Sequence, residues 1–430
     1  MKFRTWMTAL SLLASLSITL PLFAQQPVST IQISANVYEF YYRLETGTGK
    51  YDHIGIHRVT QVTNGQPVPS DNAVLLVHGD AWGFDQAFMH GISRRSIGAY
   101  LASQGIDVWG IDLAWTLVPS TQKGFKFMEN WGMQHDIDDI ERALSFARLV
   151  RTQTGGDGGR LALLGWSRGG WLGFALLNQE SQQSCGNRQV KGYVPVDLLY
   201  KTNSPSSQAF LCSLEAYYDQ QIASGVYNSN GGQQLQDVAE QAIQHAYRTS
   251  IYAGSPYTNL TWSLTVGAAP YQFESGSYFT PYFHYVGGNF PNDDFQAIPN
   301  GLSYSNVGEW NDFEFGPSFY EPVQLLAEAS AITCGDDPNL PFDKHLKDIN
   351  VPVFYVGAGG GFGSYGLYQL SLLGSTDVSN HIVSFYPPDQ QAFDFGHVDL
   401  FYAEDAQNLL WNDILQWLKK HQHDDSCSTK

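Results

Sequence analysis

Ser167 stands in Gly165-Trp166-Ser167-Arg168-Gly169, between the apolar run Leu161-Ala162-Leu163-Leu164 and the stretch Gly170-Trp171-Leu172-Gly173-Phe174-Ala175-Leu176-Leu177. That order reads as a buried strand, a sharp turn and the first turns of a packed helix. A serine at such a turn is held in a strained backbone position that lifts its hydroxyl clear of the sheet. Glycines flank it because side chains there would collide. The chemistry on offer is nucleophilic attack. A serine hydroxyl is a poor nucleophile near neutral pH, so it needs a base within hydrogen-bond reach and a group to orient that base. Among 12 histidines, His397 is the outstanding candidate, in Asp394-Phe395-Gly396-His397-Val398-Asp399-Leu400. It follows the last expected strand and precedes the last helix, which places it in a loop at the carboxyl edge of a sheet, where Ser167 also emerges.

The elements that must bring these two together can be read from periodicity. Residues 31–44 and 54–62 alternate like an antiparallel pair, joined through Gly47, Thr48 and Gly49. Residues 73–77 form a short apolar strand, 96–104 a helix closed by Gly105, and 106–111 another strand. Ile137, Ile140, Leu144, Ala147 and Leu149 give helical spacing over 136–150, and 161–164 and 190–196 continue the strands. Strand, helix and strand in succession imply right-handed crossovers and a largely parallel sheet.

From 201 to 348 the rhythm stops. Tyr, Phe, Asn, Ser, Gly and Pro dominate, with one clear helical span near 232–248 and a shorter one near 322–331. Strands resume at 351–356 and 381–387, and an amphipathic helix covers 403–419. The chain therefore reads as an α/β core in two parts, 25–200 and 349–421, interrupted by a cap or lid at 201–348. Residues 422–430 read as a flexible tail. Its His423, with His421 before it, offers a weak metal tract, for which a solvated end is the plainer account.

With nucleophile, acid and histidine in that order, residues 70–200 and 349–420 resemble the α/β-hydrolase family. The resemblance implies a mostly parallel central sheet flanked by helices, with an inserted cap domain. Val77-His78-Gly79-Asp80 is similar to the family's early strand ending in His-Gly. By that likeness the backbone N–H groups of Asp80 and Arg168 form an oxyanion hole, each donor contributing about 3 kcal/mol in the transition state. A carboxylate at position 80 would oppose an oxyanion unless it turns away or pairs with a cation such as Arg168. Asp112, closing Val108-Trp109-Gly110-Ile111-Asp112, matches a family position with a structural role. The segment from His397 through Phe401-Tyr402-Ala403-Glu404-Asp405-Ala406 to Trp417-Leu418 resembles the one that follows the histidine in acid lipases and related ester hydrolases, which points to a carboxylic ester.

The third member of a triad is where the pattern breaks. In most of the family the acid follows the penultimate strand, but here residues 351–356 run into Gly357-Ala358-Gly359-Gly360-Gly361-Phe362-Gly363, which holds no carboxylate. Two substitutes present themselves. Asp197 ends the strand after the nucleophile helix, an alternative acid position in this fold and the right edge of the sheet. Asp377 is the sole acid in the loop before the last strand. A cap residue, or no acid at all, stays open beside them. Gly361-Phe362-Gly363-Ser364-Tyr365-Gly366 formally satisfies a dinucleotide fingerprint, yet it comes late in the chain and close backbone packing near the site is the better account.

Composition bounds the rest. A formal charge of -18 disfavours nucleic acid and anionic membranes, and makes a neutral small molecule or lipid-like ester the simpler partner. Residues 1–24, with Lys2 and Arg4 ahead of an apolar stretch and Ala24 at its end, read as a secretory signal. Cys185, Cys212, Cys334 and Cys427 fit a secreted or periplasmic protein with two disulfides, in any of three connectivities. None has metal-site spacing, and no cofactor is expected. Asn259-Leu260-Thr261 meets the glycosylation pattern. Tyr271, Phe273, Tyr278, Phe279, Tyr282, Phe283, Tyr285 and Phe290 offer either a cap core or the lining of an apolar pocket. The expected protein is a serine hydrolase of a carboxylic ester with an apolar or aromatic part. Amide, peptide, thioester or carbon–carbon cleavage, and non-catalytic ligand binding, are the alternatives.

Overall fold

A computed structural model of the chain describes residues 26–89, 95–270, 282–335, 337 and 339–423. Nine strands form one continuous sheet: β1 (Ser29–Gln32), β2 (Val37–Glu45), β3 (His53–Thr63), β4 (Ala73–Val77), β5 (Asp107–Asp112), β6 (Leu161–Trp166), β7 (Val190–Val196), β8 (Val353–Ala358) and β9 (Val378–Val383). Their order is β1-β2-β3-β5-β4-β6-β7-β8-β9, with Gln66–Pro67 pairing to β3 off this path. Contacts among β1, β2, β3 and β5 are antiparallel, and every pair from β5 to β9 is parallel. The described helices of more than one turn are α1 (Ile97–Ser103), α2 (Met133–Gln153), α3 (Arg168–Glu180), α4 (Pro205–Ala223), α5 (Gly231–His245), α6 (Asn259–Ala268), α7 (Val307–Phe315), α8 (Val323–Cys334) and α9 (Asn412–Lys420).

The apolar runs explain the two-sided core. In β4 all five residues are buried, and successive side chains leave opposite faces: Leu75 and Val77 join one hydrophobic cluster, Val74 and Leu76 the other. The first cluster packs α2 and α3 on the sheet. The second packs α1 and α9 on the other side. The meander of β2 and β3, the parallel core and the connection at residues 47–49 follow the sequence expectation. The alternating stretch 31–44 is broken, however, because β1 ends at Gln32 and β2 begins at Val37. The last strand lies at Val378–Val383 rather than 381–387, since pairing of Val353 with Val378 fixes its register. The closing helix is shorter than expected and is preceded by a π-helical turn, Gln407–Trp411.

The largest departure falls between β7 and β8. Five helices, α4 to α8, occupy residues 205–334, where sequence texture suggested two. Helix α4 opens with Ser204 as its cap, whose side chain accepts from Ser207 N, and with Pro205 in its first turn. Of its apolar residues only Leu211 is buried, and the others spread around the axis, so no amphipathic stripe marks it. Cys212 on α4 is bonded to Cys334 at the end of α8, across 122 residues. Cys185 is also disulfide-bonded, and Cys427 lies outside the described residues. Among the described residues no helix is long and apolar enough to cross a membrane. Asn259 is buried at the start of α6 with Nδ2 donating to His245 O, which leaves its amide unavailable for glycosylation.

One buried ionic group ties the antiparallel strands to the parallel core. His57 on β3 holds Glu39 of β2 through Nδ1 (2.6 Å) and Asp112 of β5 through Nε2 (2.9 Å). Burial alone would lower the imidazole's pKa, but the charge and hydrogen bond of Asp112, with Glu39, raise it from 6.5 to about 10. Asp112 also accepts from Phe84 N, in keeping with a structural role. A group whose pKa is raised on folding stabilises fully below its unfolded value, and that stabilisation is lost as pH rises through the folded value. The stability difference between wild type and His57→Gln, from urea midpoints, is therefore expected to be large near about pH 6 and to shrink towards about pH 10. A difference that stays constant over this range contradicts the assignment.

Candidate active site

Four neighbouring parallel strands deliver the site residues to one edge. β4 ends at Val77, opposite Gly165, and is followed by His78, Gly79 and Asp80. β6 ends at Trp166, opposite Val196, the end of β7, and Val196 pairs in turn with Val356 on β8. The residue after each strand stays bonded to the next: Ser167 N donates to Val196 O (2.9 Å) and Asp197 N to Val356 O (2.7 Å). Both sit at positive φ, +55° with ψ -122° for Ser167 and +48° for Asp197. Two adjacent non-glycine residues in disfavoured backbone regions at a strand edge mark a place where the surroundings override local preference.

The glycines permit this closeness. A Cβ on Gly79 would lie 2.8 Å from Ser167 Cβ, and one on Gly169 only 2.2 Å from Val77 O. The elbow and the β4 loop are therefore in backbone contact. Ser167 Oγ has no hydrogen-bond partner among the described residues, so its proton is not committed elsewhere.

His397 reaches the same edge from the second part of the core. Its backbone N–H donates to His284 O (3.1 Å) and Val398 N to Tyr285 O (2.7 Å), so residues 284–285 hold its loop. Its ring stacks on Trp166, the neighbour of Ser167, with centroids 4.9 Å apart at 25°, and Phe283 lies 4.9 Å away on a tilted plane. Nδ1 is 2.6 Å from Asp197 Oδ2. Among the described residues Nε2 has no hydrogen-bond partner.

Asp197 is fully buried, and three backbone groups of the glycine loop converge on it. Ala358 N (2.9 Å) and Gly363 N (2.8 Å) donate to Oδ1, and Phe362 N (3.1 Å) to Oδ2. A Cβ on Gly361 would sit 2.1 Å from Oδ2. The glycines that formally mimic a dinucleotide fingerprint thus wrap a carboxylate. Asp377, the other candidate acid, is bonded to His421 Nε2 (3.0 Å) and paired with Lys420, so the structure does not bring it to His397. The reason is register: Asp377 precedes β9, at the opposite end of the strand from the edge where Ser167 emerges.

The side chains of Asp80 and Arg168 form an ion pair, Nε to Oδ1 at 2.7 Å and Nη2 to Oδ2 at 3.1 Å. Burial opposes the charge on Asp80, but Arg168 and a hydrogen bond with Glu321 outweigh it and hold the carboxyl below its usual range. The carboxylate at position 80 is thus paired with the cation that the sequence reading named for it. Arg168 is the first residue of α3, where backbone N–H groups have no partner within the helix. Among the described residues neither its N–H nor that of Asp80 donates to a protein acceptor.

A cavity of about 410 Å³ adjoins the elbow, walled by Trp171 and Leu199 of the core, Phe210 and Leu214 of α4, and Phe283 and Phe362 beside His397. Of the expected aromatics, Phe283 and Tyr285 line it. Phe290 packs on Phe393 and Tyr282 on His284 instead. Tyr271, Phe273, Tyr278 and Phe279 lie outside the described residues. Sequence reading missed the α4 wall, which no periodicity marks. It also missed His284, kept neutral by burial with its pKa lowered to about 4, whose Nε2 bonds to Asp394 O (2.9 Å).

Among the described residues two clusters carry metal-ligand chemistry, Glu39–His57–Asp85 and His135–Asp136–Asp139. In the first, both imidazole nitrogens are engaged by carboxylates. In the second, three neighbours on one helix are partly spent on Trp115 and Arg142. Neither cluster reaches Ser167.

No protein-family model and no curated protein matches the sequence. Among solved structures, a protein described as a lipase from Sulfolobus solfataricus matches with a TM-score of 0.58 at 19% identity, covering 90% of this chain and 95% of that one. A soluble variant of monoglyceride lipase from Saccharomyces cerevisiae matches at 0.47 and 14%, covering 86% and 91%. A thermophilic esterase from Thermogutta terrifontis matches at 0.45 and 11%, covering 89% and 99%. The chain has the α/β-hydrolase fold: a mostly parallel sheet flanked by helices, as the sequence resemblance implied.

The Gly79 contact yields a test. Gly79→Ala is expected to keep its far-ultraviolet circular dichroism but to displace Ser167, and a displacement near 1 Å costs about a hundredfold in kcat on any ester the wild type turns over. Unchanged turnover would show that the β4 loop does not constrain the serine.

Proposed function

We propose that this chain is a serine hydrolase that cleaves a carboxylic ester carrying an apolar or aromatic moiety, by way of an acyl-enzyme. The observation that carries the reading is the 2.6 Å bond from His397 Nδ1 to Asp197, beside a serine at φ +55°. Asp197 fixes the imidazole with its Nδ1 proton on the carboxylate side, so that Nε2 is the nitrogen that exchanges protons. Ser167 Oγ attacks the ester carbonyl as its proton passes to Nε2. The carbonyl oxygen takes up the negative charge and accepts from the N–H groups of Asp80 and Arg168. Collapse of the tetrahedral intermediate breaks the bond to the alcohol, which leaves with the proton from His397. Water, deprotonated by the same nitrogen, then attacks the acyl-serine and regenerates the hydroxyl. Each step uses groups of the chain itself.

The apolar cavity supports an ester with a hydrocarbon or aromatic part, since burying such a group contributes about 25 cal/mol per Å² removed from water. In this reading residues 201–348 are a cap over a core made of 25–200 and 349–421. Amide, peptide, thioester or carbon–carbon substrates would use the same attacking groups, and the cap would select among them. The reading includes export through a signal at residues 1–24, which the Cys212–Cys334 disulfide supports.

A fluorophosphonate probe is expected to label wild type on Ser167, by mass spectrometry of the adduct peptide, and to leave Ser167→Ala unlabelled. Equal labelling of both removes the mechanism. Absence of label in both, with tight binding of an apolar ligand, would make the chain a binding protein on this fold. Asp197→Asn is expected to lower kcat on a nitrophenyl ester about ten-thousandfold, by favouring the wrong imidazole tautomer. Asp377→Asn is expected to change it less than about twofold, as for an exposed pair far from the chemistry. The reverse ranking would reassign the acid.

A further inference from the structure

His284 belongs to the segment between β7 and β8, yet most of its polar groups bond to the loops around His397 and Asp197. Its backbone N–H donates to Gly360 O (2.9 Å), and its carbonyl accepts from His397 N (3.1 Å). The ring is fully buried, with Nε2 2.9 Å from Asp394 O and Nδ1 3.1 Å from the Tyr282 hydroxyl. A carbonyl oxygen can only accept, so Nε2 carries the hydrogen and donates to Asp394 O. Nδ1 of the neutral ring then accepts from the Tyr282 hydroxyl.

The two loops that His284 joins have different tasks. Residues 358–363 supply the three N–H groups that hold the Asp197 carboxylate. Residues 394–398 carry His397. The loops also meet directly, through Gly360 N to Phe395 O (2.8 Å), and the His284 ring packs beside that contact. A Cβ on Gly360 would lie 2.2 Å from His284 Nε2. Among the described residues Asp394 O has no other donor, so the His284 ring is what holds the carbonyl three residues ahead of His397.

We propose that His284 is a positioning residue for His397: its Nε2–H bond to Asp394 O, with its backbone bonds to Gly360 and His397, sets the imidazole against the loop that cradles Asp197. The inference rests on the serine-hydrolase reading and deepens it, since the inserted segment then helps to build the histidine–aspartate pair as well as to wall the cavity. Its signature is a split between turnover and binding. A displaced base slows proton transfer in the transition state and leaves the apolar cavity as it was.

The test compares three variants. His284→Phe keeps a ring of similar size without either nitrogen, and His284→Gln carries an amide N–H long enough to reach Asp394 O. His284→Asn is one methylene shorter, so its amide falls short. For each, kcat on a short nitrophenyl ester is measured per site titrated by a fluorophosphonate, so that unfolded chains do not count, together with Ki for the matching amide. His284→Phe and His284→Asn are expected to lower kcat about ten- to hundredfold, and His284→Gln to stay within about threefold of wild type. The amide Ki should stay within about threefold in all of them. If His284→Phe does not fold, the comparison of Gln with Asn decides alone. Equal losses in the Gln and Asn variants overturn the proposal, as does an unchanged kcat in His284→Asn or an amide Ki that weakens in step with kcat. A wild type that neither turns over esters nor takes a label on Ser167 removes the serine-hydrolase reading itself, and the proposal with it.

Discussion

The carboxylate of Asp197 is the junction on which the site depends. Fully buried, it accepts from three backbone N–H groups of residues 358–363 and from the His397 ring. An acceptor taken out of water is costly unless its lone pairs are filled, and here four donors fill them. Those donors come from beyond residue 357, whereas Asp197 and Ser167 come from before residue 201. A single side chain therefore ties the two halves of the core together at the edge where Ser167 emerges. Its own backbone, at φ +48°, is held by the bond from Asp197 N to Val356 O.

Around that junction the neighbours are packed rings and hydrogen-bonded backbone. Trp166 gives the imidazole a flat wall, residues 284–285 hold its loop by backbone bonds, and Phe283 and Phe362 close the remaining faces. The inserted segment contributes on both sides. α4 walls the cavity, while residues 313–321 shape the loop after β4. The disulfide between α4 and α8 joins the beginning and end of that segment, so the cavity wall is anchored beside the core strands.

Much of this was legible from the residues alone, for identifiable reasons. Parallel strands buried on both faces are written as unbroken apolar runs, as in residues 73–77 and 161–164, and such runs are hard to misread. The placement of Ser167 and His397 at one sheet edge was legible because glycines and loop position accompany them. The acid was not, since Asp197 and Asp377 both adjoin strands, and only strand direction and register decide which one meets the histidine. The role of Gly357–Gly363 was half legible: close packing could be foreseen, but not that three of its N–H groups would serve one carboxylate. Helix α4 carries no stripe, and Arg168 meets Asp80 across 88 residues. Interactions of that kind leave no local pattern to read.

The most direct test of the account is the proton between His397 and Asp197. In the proton NMR spectrum of the wild-type chain at low temperature, a resonance far downfield of the amide envelope is expected, and both Asp197→Asn and His397→Gln should abolish it. A spectrum in which that resonance is missing, or in which it survives either substitution, would contradict the pairing on which the proposed active site is built.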